Sequence, residues 1–272
     1  MLKTPMKRRN ILVLVKTYPS ISQKYRETVC TAGLLLDDEL KPLSWIRVYP
    51  VRFRNLTNDA RFKKWTIISA DIERNDKDHR HESYRINDAS ISIIERIEPK
   101  KSWKRRRDLV FPMKSGCTSE IRERGKSIGL VRPVEIKRCF AQKTTREWSP
   151  KQQAVLDQGD LLAGDKLGDL EKIPYKFYYE FKEEDGSSHK YSILDWEISE
   201  LFRKSRNRSI HFKQEDREKE AVSKVIRKLE HFSKNLDLHF MLGNFKNHPQ
   251  NFGIIGLIYP PIIECEQLPL IL

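Results

Sequence analysis

The sequence is poor in cysteine, with only four among its 272 residues. The cysteines are widely separated, and none has a CxxC partner or a histidine at ligand spacing: Cys30, Cys117, Cys139 and Cys265. Structural zinc sites and disulfide frameworks need clustered or paired cysteines. The sequence therefore predicts neither a cysteine-based zinc site nor a disulfide framework, and it favours reduced thiols in the cytoplasm.

Long hydrophobic runs are also absent. The basic residues 3–10 precede five apolar residues, 11–15, which are too few for the hydrophobic region of a signal peptide. Every other apolar run is far shorter than the ~20 residues that a transmembrane helix needs. We therefore expect a cytoplasmic protein with no membrane partner.

The common catalytic motifs are missing as well. No glycine-rich phosphate loop, nucleophile elbow or HExxH helix occurs in the chain. Asp169, Glu180 and Lys182 have the residue types of metal-dependent nucleases, in which carboxylates hold an ion and a lysine orients water. The polar face of a hairpin, which also includes Lys176, explains Glu180 and Lys182 better. The sequence therefore predicts no catalytic residue, no cofactor and no metal.

Positive charge, by contrast, is abundant. The chain has 52 Lys and Arg against 38 Asp and Glu, a formal net charge of +14 and a pI near 9.6. Such a balance attracts polyanions. The chain is 38% hydrophobic and 10% aromatic, so it can still build one large core or two small ones.

Short β-branched or aromatic segments separated by polar turns fill the first part of the chain. They predict strands at residues 11–16, 28–36, 44–53, 65–72 and 89–97, with one or two helical turns within 55–64. Several short strands with one small helix favour a compact barrel. Residues 1–99 are therefore predicted to form a barrel-like domain, and residues 100–127 a basic connector with a helix that begins at Thr118 or Ser119.

Residues 128–272 are predicted to form an α+β domain. Residues 130–140 indicate a strand, and the alternation in 175–182 with the turn Asp185-Gly186 predicts a hairpin that returns at 191–194. Asp195 is a candidate N-cap for a first helix, and the apolar stripe in 214–234 predicts a long second one. The last two strands, 236–245 and 252–259, are expected to pair. The predicted fold class is α+β, with small OB-like antiparallel β-barrels and packed helices.

Residues 45–54 (WIRVYPVRFR) separate two faces when they are placed on a strand. Ile46 and Val48 lie on one face, and Trp45, Arg47 and Tyr49 lie on the other. An aliphatic row facing a core leaves the second row for solvent, where aromatic rings stack on bases and guanidinium groups pair with phosphates. The alternative interpretation is a second apolar layer that covers the aromatic rings.

Further basic residues accompany this predicted face. Four lie in or after the same strand, and four form a run in the connector, where a solvated charge run is the alternative. The predicted nucleic-acid-binding residues are Trp45, Arg47, Tyr49, Arg52, Arg54, Lys63, Lys64, Lys104, Arg105, Arg106 and Arg107.

Four segments are similar to a little-characterised group of bacterial proteins: 26–33 (RETVCTAG), 45–54, 194–197 (LDWE) and 253–261 (GIIGLIYPP). The opening pattern of three strands also resembles domains described as dual OB folds, found in genomic neighbourhoods of mobile elements and anti-phage systems. This resemblance implies oligonucleotide binding on the aromatic face of a barrel. The long helix and the basic connector depart from a clean five-stranded barrel, which puts the number of barrels in doubt.

The sequence therefore favours a non-catalytic nucleic-acid-binding module, for single strands of DNA or RNA, within a larger bacterial assembly. A metal-dependent nuclease, or another enzyme acting on nucleic acid, is one alternative, and a scaffold for an acidic protein partner is another. Apolar residues near the C-terminus (Leu268, Leu270, Ile271 and Leu272) predict a protein partner bound through the tail.

Overall fold

The computed structural model describes residues 5–22, 26–53, 56–154 and 170–263. The first half of the chain forms seven strands: β1 (Lys7–Lys16), β2 (Ser20–Ser22), β3 (Arg26–Leu36), β4 (Pro42–Val51), β5 (Thr66–Arg74), β6 (Ser83–Ile86) and β7 (Ser92–Arg96). Between β4 and β5, within the described residues 56–65, a 3-10 turn forms at Asn58–Ala60, where the sequence predicted one or two helical turns.

The second half adds helices to strands. The helices are α1 (Lys104–Val110), α2 (Thr118–Glu123), α3 (Trp196–Asn207) and α4 (Gln214–Asn235). The strands are β8 (Ile128–Val131), β9 (Glu135–Lys143), β10 (Tyr175–Lys182), β11 (Ser188–Ile193), β12 (His239–Phe245) and β13 (His248–Ile258). No helix in the described part of the chain is long and apolar enough to cross a bilayer.

Five strands of the first half close into a β-barrel. Their order is β1-β3-β4-β6-β5, and β5 pairs back with β1. All of these pairings are antiparallel except the parallel pairing of β4 with β6. The apolar run of β1 is buried on both faces, because Ile11 and Val13 fill the barrel while Leu12 and Leu14 point away from it.

The second half forms a six-stranded mixed sheet in the order β8-β12-β13-β11-β10-β9. One face of this sheet packs against α3 and α4, whose apolar stripes supply Phe202, Val225 and Leu229 to a shared core. The other face of β8, β12 and β13 packs against the outside of the barrel through Leu130, Met241 and similar residues. The molecule therefore has three apolar layers, namely the barrel interior, the contact between barrel and sheet, and the contact between sheet and helices.

The two halves repeat one pattern of strand pairing. In the barrel, β1, β3 and β4 form an antiparallel meander, β4 pairs in parallel with β6, and β6 pairs with the penultimate strand, β5. In the sheet, β9, β10 and β11 form the meander, β11 pairs in parallel with β13, and β13 pairs with β12. In the barrel, that penultimate strand, β5, pairs with β1 and closes the ring. In the sheet, the equivalent strand, β12, pairs with β8, and the ring stays open.

Most of the predicted elements are confirmed, including the hairpin β10–β11, the Asp195 cap of α3, helix α4 and the β12–β13 pair. The single strand predicted at 130–140 is wrong, because it divides into β8 and β9 around Pro133, which has no amide hydrogen to donate. The strand predicted at 89–97 begins later, at Ser92, after a 3-10 turn. Strand β6 was missed, because four residues are too few to show a period.

Candidate functional site

The row Trp45, Arg47 and Tyr49 does not form an open face. Trp45 is only 7% exposed and Arg47 only 4%, because β8, β12 and β13 cover this side of β4. The prediction of a solvent-facing aromatic and basic row is therefore wrong for Trp45 and Arg47. The alternative, a second apolar layer, describes Trp45, although a sheet rather than a helix supplies that layer.

Arg47 joins the barrel to the sheet by hydrogen bonds. Its Nε donates to Ser127 Oγ at 3.2 Å, and its Nη2 donates to the Ser127 carbonyl at 2.7 Å. The Glu82 carboxylate accepts from the Ser127 amide and hydroxyl, both at 2.9 Å. Burial lowers the pKa of Arg47. A Cβ at Gly243 would lie 2.7 Å from Arg47 Nη2, so glycine leaves the space for this guanidinium.

Beyond Arg47, β4 leads into a cleft of about 890 Å³ between the barrel and the sheet. Tyr49 lines this cleft and accepts a hydrogen bond from Thr28 Oγ1 at 3.1 Å. The barrel side comes from the segment after β1, the outer row of β4 and the β5–β6 connection. The sheet side comes from the segment before β10 and from the β12–β13 turn.

The lining of the cleft is strongly basic. Seven of its described side chains are cations, and one is a carboxylate, Asp78; the cations are Arg47, Lys77, Arg80, Arg85, Lys172, Lys176 and Lys246. Burial alone would raise the pKa of Asp78, but hydrogen bonds from the Arg80 side chain and amide hold it well below its usual range. This pairing leaves the cleft with an excess of positive charge at neutral pH.

Six aromatic residues line the cleft beside these cations: Tyr18, Tyr49, Trp148, Tyr175, Phe177 and Phe245. The Phe177 ring itself is buried in the core between the sheet and the helices. Lys172 Nζ is 5.9 Å from the Trp148 ring centroid and donates to the Glu147 carbonyl at 2.7 Å. Trp148 Nε1 in turn donates to the Leu170 carbonyl at 3.3 Å. The cleft therefore combines fixed aromatic surfaces with cations that can pair with phosphate groups.

Two of the other predicted residues of this region are paired within the protein. Arg52 forms a bidentate pair with Asp88, with both donor–acceptor distances at 2.8 Å. Lys64 is buried, and its Nζ lies 2.5 Å from Asp195 and 3.1 Å from Glu197. Burial alone would lower the pKa of Lys64, but these two carboxylates raise it. Lys63 is exposed, and Arg54 lies outside the described residues.

Two arginines of the basic connector, Arg106 and Arg107, make contacts within the folded protein. Arg106 is buried between Trp65 and Trp103, 4.6 and 4.5 Å from their ring centroids, and it donates to the Ile97 carbonyl. Burial lowers its pKa to about 10. Arg107 pairs with Asp237 at 3.2 Å. The expectation of an open basic surface is therefore wrong for Arg106.

The two remaining connector cations lie nearer to solvent. Arg105 pairs with Glu95, and Lys104 pairs with Asp108 four residues further along α1 at 3.2 Å. Pairs of this kind on a surface contribute little to stability, about 1 kcal/mol or less. Neither residue lines the cleft.

Most cleft residues were missed from the sequence. The cations of the β5–β6 connection, Lys77 and Arg80, lie in a polar segment to which no site was assigned, and Lys176 was assigned to the polar face of a hairpin. Among the residues with described coordinates, no three His, Cys, Asp or Glu side chains are grouped so that they could hold a metal ion. Asp169 and the C-terminal tail fall outside the described residues.

The architecture defines a protein of two regions, a closed barrel and a helix-covered mixed sheet, with a basic cleft between them. Residues 115–270, more than half of the chain, match the family described as Domain of unknown function (DUF8757), and the chain belongs to that family. Residues 7–112 match a second family model, Domain of unknown function (DUF8758). No curated protein matches the chain.

Proposed function

We propose that this protein binds single-stranded nucleic acid in the cleft between the barrel and the sheet, as a non-catalytic subunit of a larger bacterial assembly. The observation that carries this proposal is the lining of the cleft. Among the described residues, six cations besides the buried Arg47 and five aromatic rings besides the buried Phe177 line one volume, with one carboxylate that is already paired. Cations pair with the phosphate backbone, and aromatic rings stack on bases of any sequence.

The size of the cleft favours a single strand over a duplex. Pockets of about 300–1,000 Å³ enclose ligands of small-molecule size, and this cleft of about 890 Å³ lies near the upper limit. A few nucleotides of a flexible strand fit such a volume. A double helix, whose major groove alone is about 12 Å wide, does not.

The position of the cleft on the barrel supports an OB-like interpretation. OB folds are five-stranded barrels that bind oligonucleotides on the face of their second and third strands, beside the loops that follow the first and fourth. In this barrel those strands are β3 and β4, which contribute Cys30, Arg47 and Tyr49 to the cleft. The corresponding connections contribute Tyr18 and Arg80. The repeated strand pairing in the second half supports the resemblance to dual OB domains.

The test is a salt titration of binding to a labelled 12-nucleotide single strand, in both DNA and RNA forms, with a duplex of the same length for comparison. One triple variant changes exposed cleft lysines, Lys77→Gln, Lys176→Gln and Lys246→Gln. A matched control removes the same charge elsewhere, at Lys41, Lys219 and Lys234, which are 71–75% exposed.

We expect the cleft variant to flatten the slope of log affinity against log salt by about 2, since each lost phosphate contact on a single strand removes about 0.7. The control should keep the wild-type slope. Equal slopes for the two variants would contradict the proposal. Weak binding of wild-type protein even at low salt would favour an acidic protein partner, and divalent-metal-dependent cleavage of the strand would favour the nuclease alternative.

A further inference from the structure

The exposed face of the β9–β10–β11 meander carries an ordered pair of aromatic rings. Phe140 and Tyr178 lie opposite each other on β9 and β10, with ring centroids 5.1 Å apart and planes within 8° of parallel. Both side chains are half-buried. They belong to the sheet face opposite to α3 and α4, because their neighbours in β10, Phe177 and Tyr179, point into the helix-covered core.

Cations surround this pair. Arg138 Cζ is 4.9 Å from the Phe140 centroid, and Lys190 Nζ is 5.2 and 5.3 Å from the centroids of Phe140 and Tyr178. Glu180 pairs with Arg138 at 2.8 Å and neutralises one of these charges. Lys190 forms no ion pair among the residues that the structure describes, so its charge is available to a phosphate group.

The strand register leaves space beside the Tyr178 ring. Phe140 covers one side of Tyr178, and the position across from Tyr178 on the other side is Ser192 of β11. A serine side chain has no ring and is short, so a flat group of the thickness of a base can lie over Ser192 against Tyr178. Lys190 is two residues before Ser192 on the same face of β11.

This face is continuous with the cleft. Lys176 lines the cleft and precedes Tyr178 by two residues on the same face of β10, a separation of about 7 Å along the strand. A strand of nucleic acid that leaves the cleft past Lys176 therefore reaches Tyr178 next. Aromatic pairs on sheets also stabilise cross-strand contacts, so the experiment must separate stability from binding.

We propose that Tyr178, Phe140 and Lys190 form a second, base-stacking subsite for single-stranded nucleic acid, which is occupied only by strands longer than the cleft encloses. This inference rests on the proposed function. Tyr178 supplies the stacking surface, Phe140 supports it from behind, and Lys190 pairs with the backbone. The subsite has no preference for base identity, because every base has a flat face.

Binding of a 3-nucleotide and a 12-nucleotide strand to the wild type, Tyr178→Ala and Tyr178→Phe tests this subsite. We expect Tyr178→Ala to weaken binding of the 12-mer about tenfold, a stacking effect of the size seen for single bases, and to leave the 3-mer unchanged. Tyr178→Phe keeps the ring and should bind both strands like the wild type. Thermal melting of each variant shows whether the fold is retained.

Ser192→Leu provides a second variant, because it fills the space beside the Tyr178 ring without removing any aromatic group. It should also weaken only the 12-mer. If the folded variants bind the 12-mer like the wild type, the subsite is refuted while the cleft proposal stands. If the wild type binds neither strand, both proposals are refuted together. If the variants lose affinity for the 3-mer and the 12-mer equally, the subsite is also refuted, since the effect would then lie in the cleft.

Discussion

The barrel and the sheet share one pattern of strand pairing but bury their apolar faces in different ways. The barrel closes through β1 and β5, so its own strands enclose the core formed by Ile46, Ile68 and their neighbours. The sheet stays open, and α3 and α4 cover one of its faces. Closure thus determines whether a region needs helices to complete its core.

The difference also determines which surfaces are left for binding. The barrel presents one outer side to the sheet, and the cleft lies where that contact ends. The open sheet has a second face, part of which packs on the barrel while the β9–β11 part carries the half-buried pair Phe140 and Tyr178. A closed region therefore offers its rim and outer surface, whereas an open region also keeps an uncovered sheet face.

The prediction with the largest expected effect concerns a substitution that disturbs the closure of the barrel. A Cβ at Gly33 of β3 would lie 1.8 Å from the Leu12 carbonyl oxygen of β1, so Gly33→Ala forces two barrel strands apart. We expect the free energy of unfolding to fall by about 4 kcal/mol or more, measured by urea denaturation.

The matched control is a glycine of the open sheet. At Gly253 of β13 the nearest atom to an added Cβ is 3.3 Å away, on the Phe245 ring, so Gly253→Ala should cost less than about 1 kcal/mol. Similar losses for the two variants would show that the close approach of β3 to β1 at Gly33 is not the cause of the destabilisation.

A second prediction concerns the contact between the two regions. Asp195 of the sheet region is 1% exposed and accepts from Lys64 of the barrel region at 2.5 Å and from the Leu257 amide at 3.1 Å. Asp195→Asn removes the main counter-charge of a buried lysine. We expect a loss of about 3 kcal/mol in the free energy of unfolding.

Lys64→Met separates the charge effect from the loss of the contact. The double variant Lys64→Met with Asp195→Asn should be more stable than Asp195→Asn alone, because no uncompensated buried charge remains. If the two substitutions are simply additive, the pair does not couple the barrel to the sheet region in this way.

The prediction with the smallest expected effect concerns the pH dependence of stability at the same contact. Lys16 of β1 lies 4.1 Å from the Phe53 ring centroid and 5.2 Å from that of Trp196 in α3, and burial lowers its pKa from 10.5 to about 8. Between these two pH values the unfolded chain binds more protons at Lys16 than the folded chain does. The wild type should therefore gain stability relative to Lys16→Met as the pH rises from 8 to 10.5.

Below pH 8 the lysine is charged in both states, and the folded state bears the full cost of its burial. We expect Lys16→Met to be more stable than the wild type by about 2 kcal/mol at pH 7, with this difference largely lost at pH 10.5. Unfolding curves at both pH values measure the difference. A difference that is constant with pH would show that Lys16 is solvated like a surface lysine.

Local patterns in the sequence were sufficient for much of the fold. The apolar stripe of α4, the alternation in β10 and the turn at Asp185-Gly186 each depend on residues a few positions apart. The same holds for the division of β4 into an aliphatic face and an aromatic face. These features follow from the fixed periods of helices and strands, which the sequence carries on its own.

Only the tertiary structure decided what covers each face. The period of β4 places Trp45, Arg47 and Tyr49 together, but the packing of β8, β12 and β13 buries the first two and leaves Tyr49 at the cleft. Within the basic run 104–107, packing between two tryptophans selects Arg106 for burial. The cleft itself combines residues from position 17 to position 255, and a sequence period gives no information about contacts over such separations.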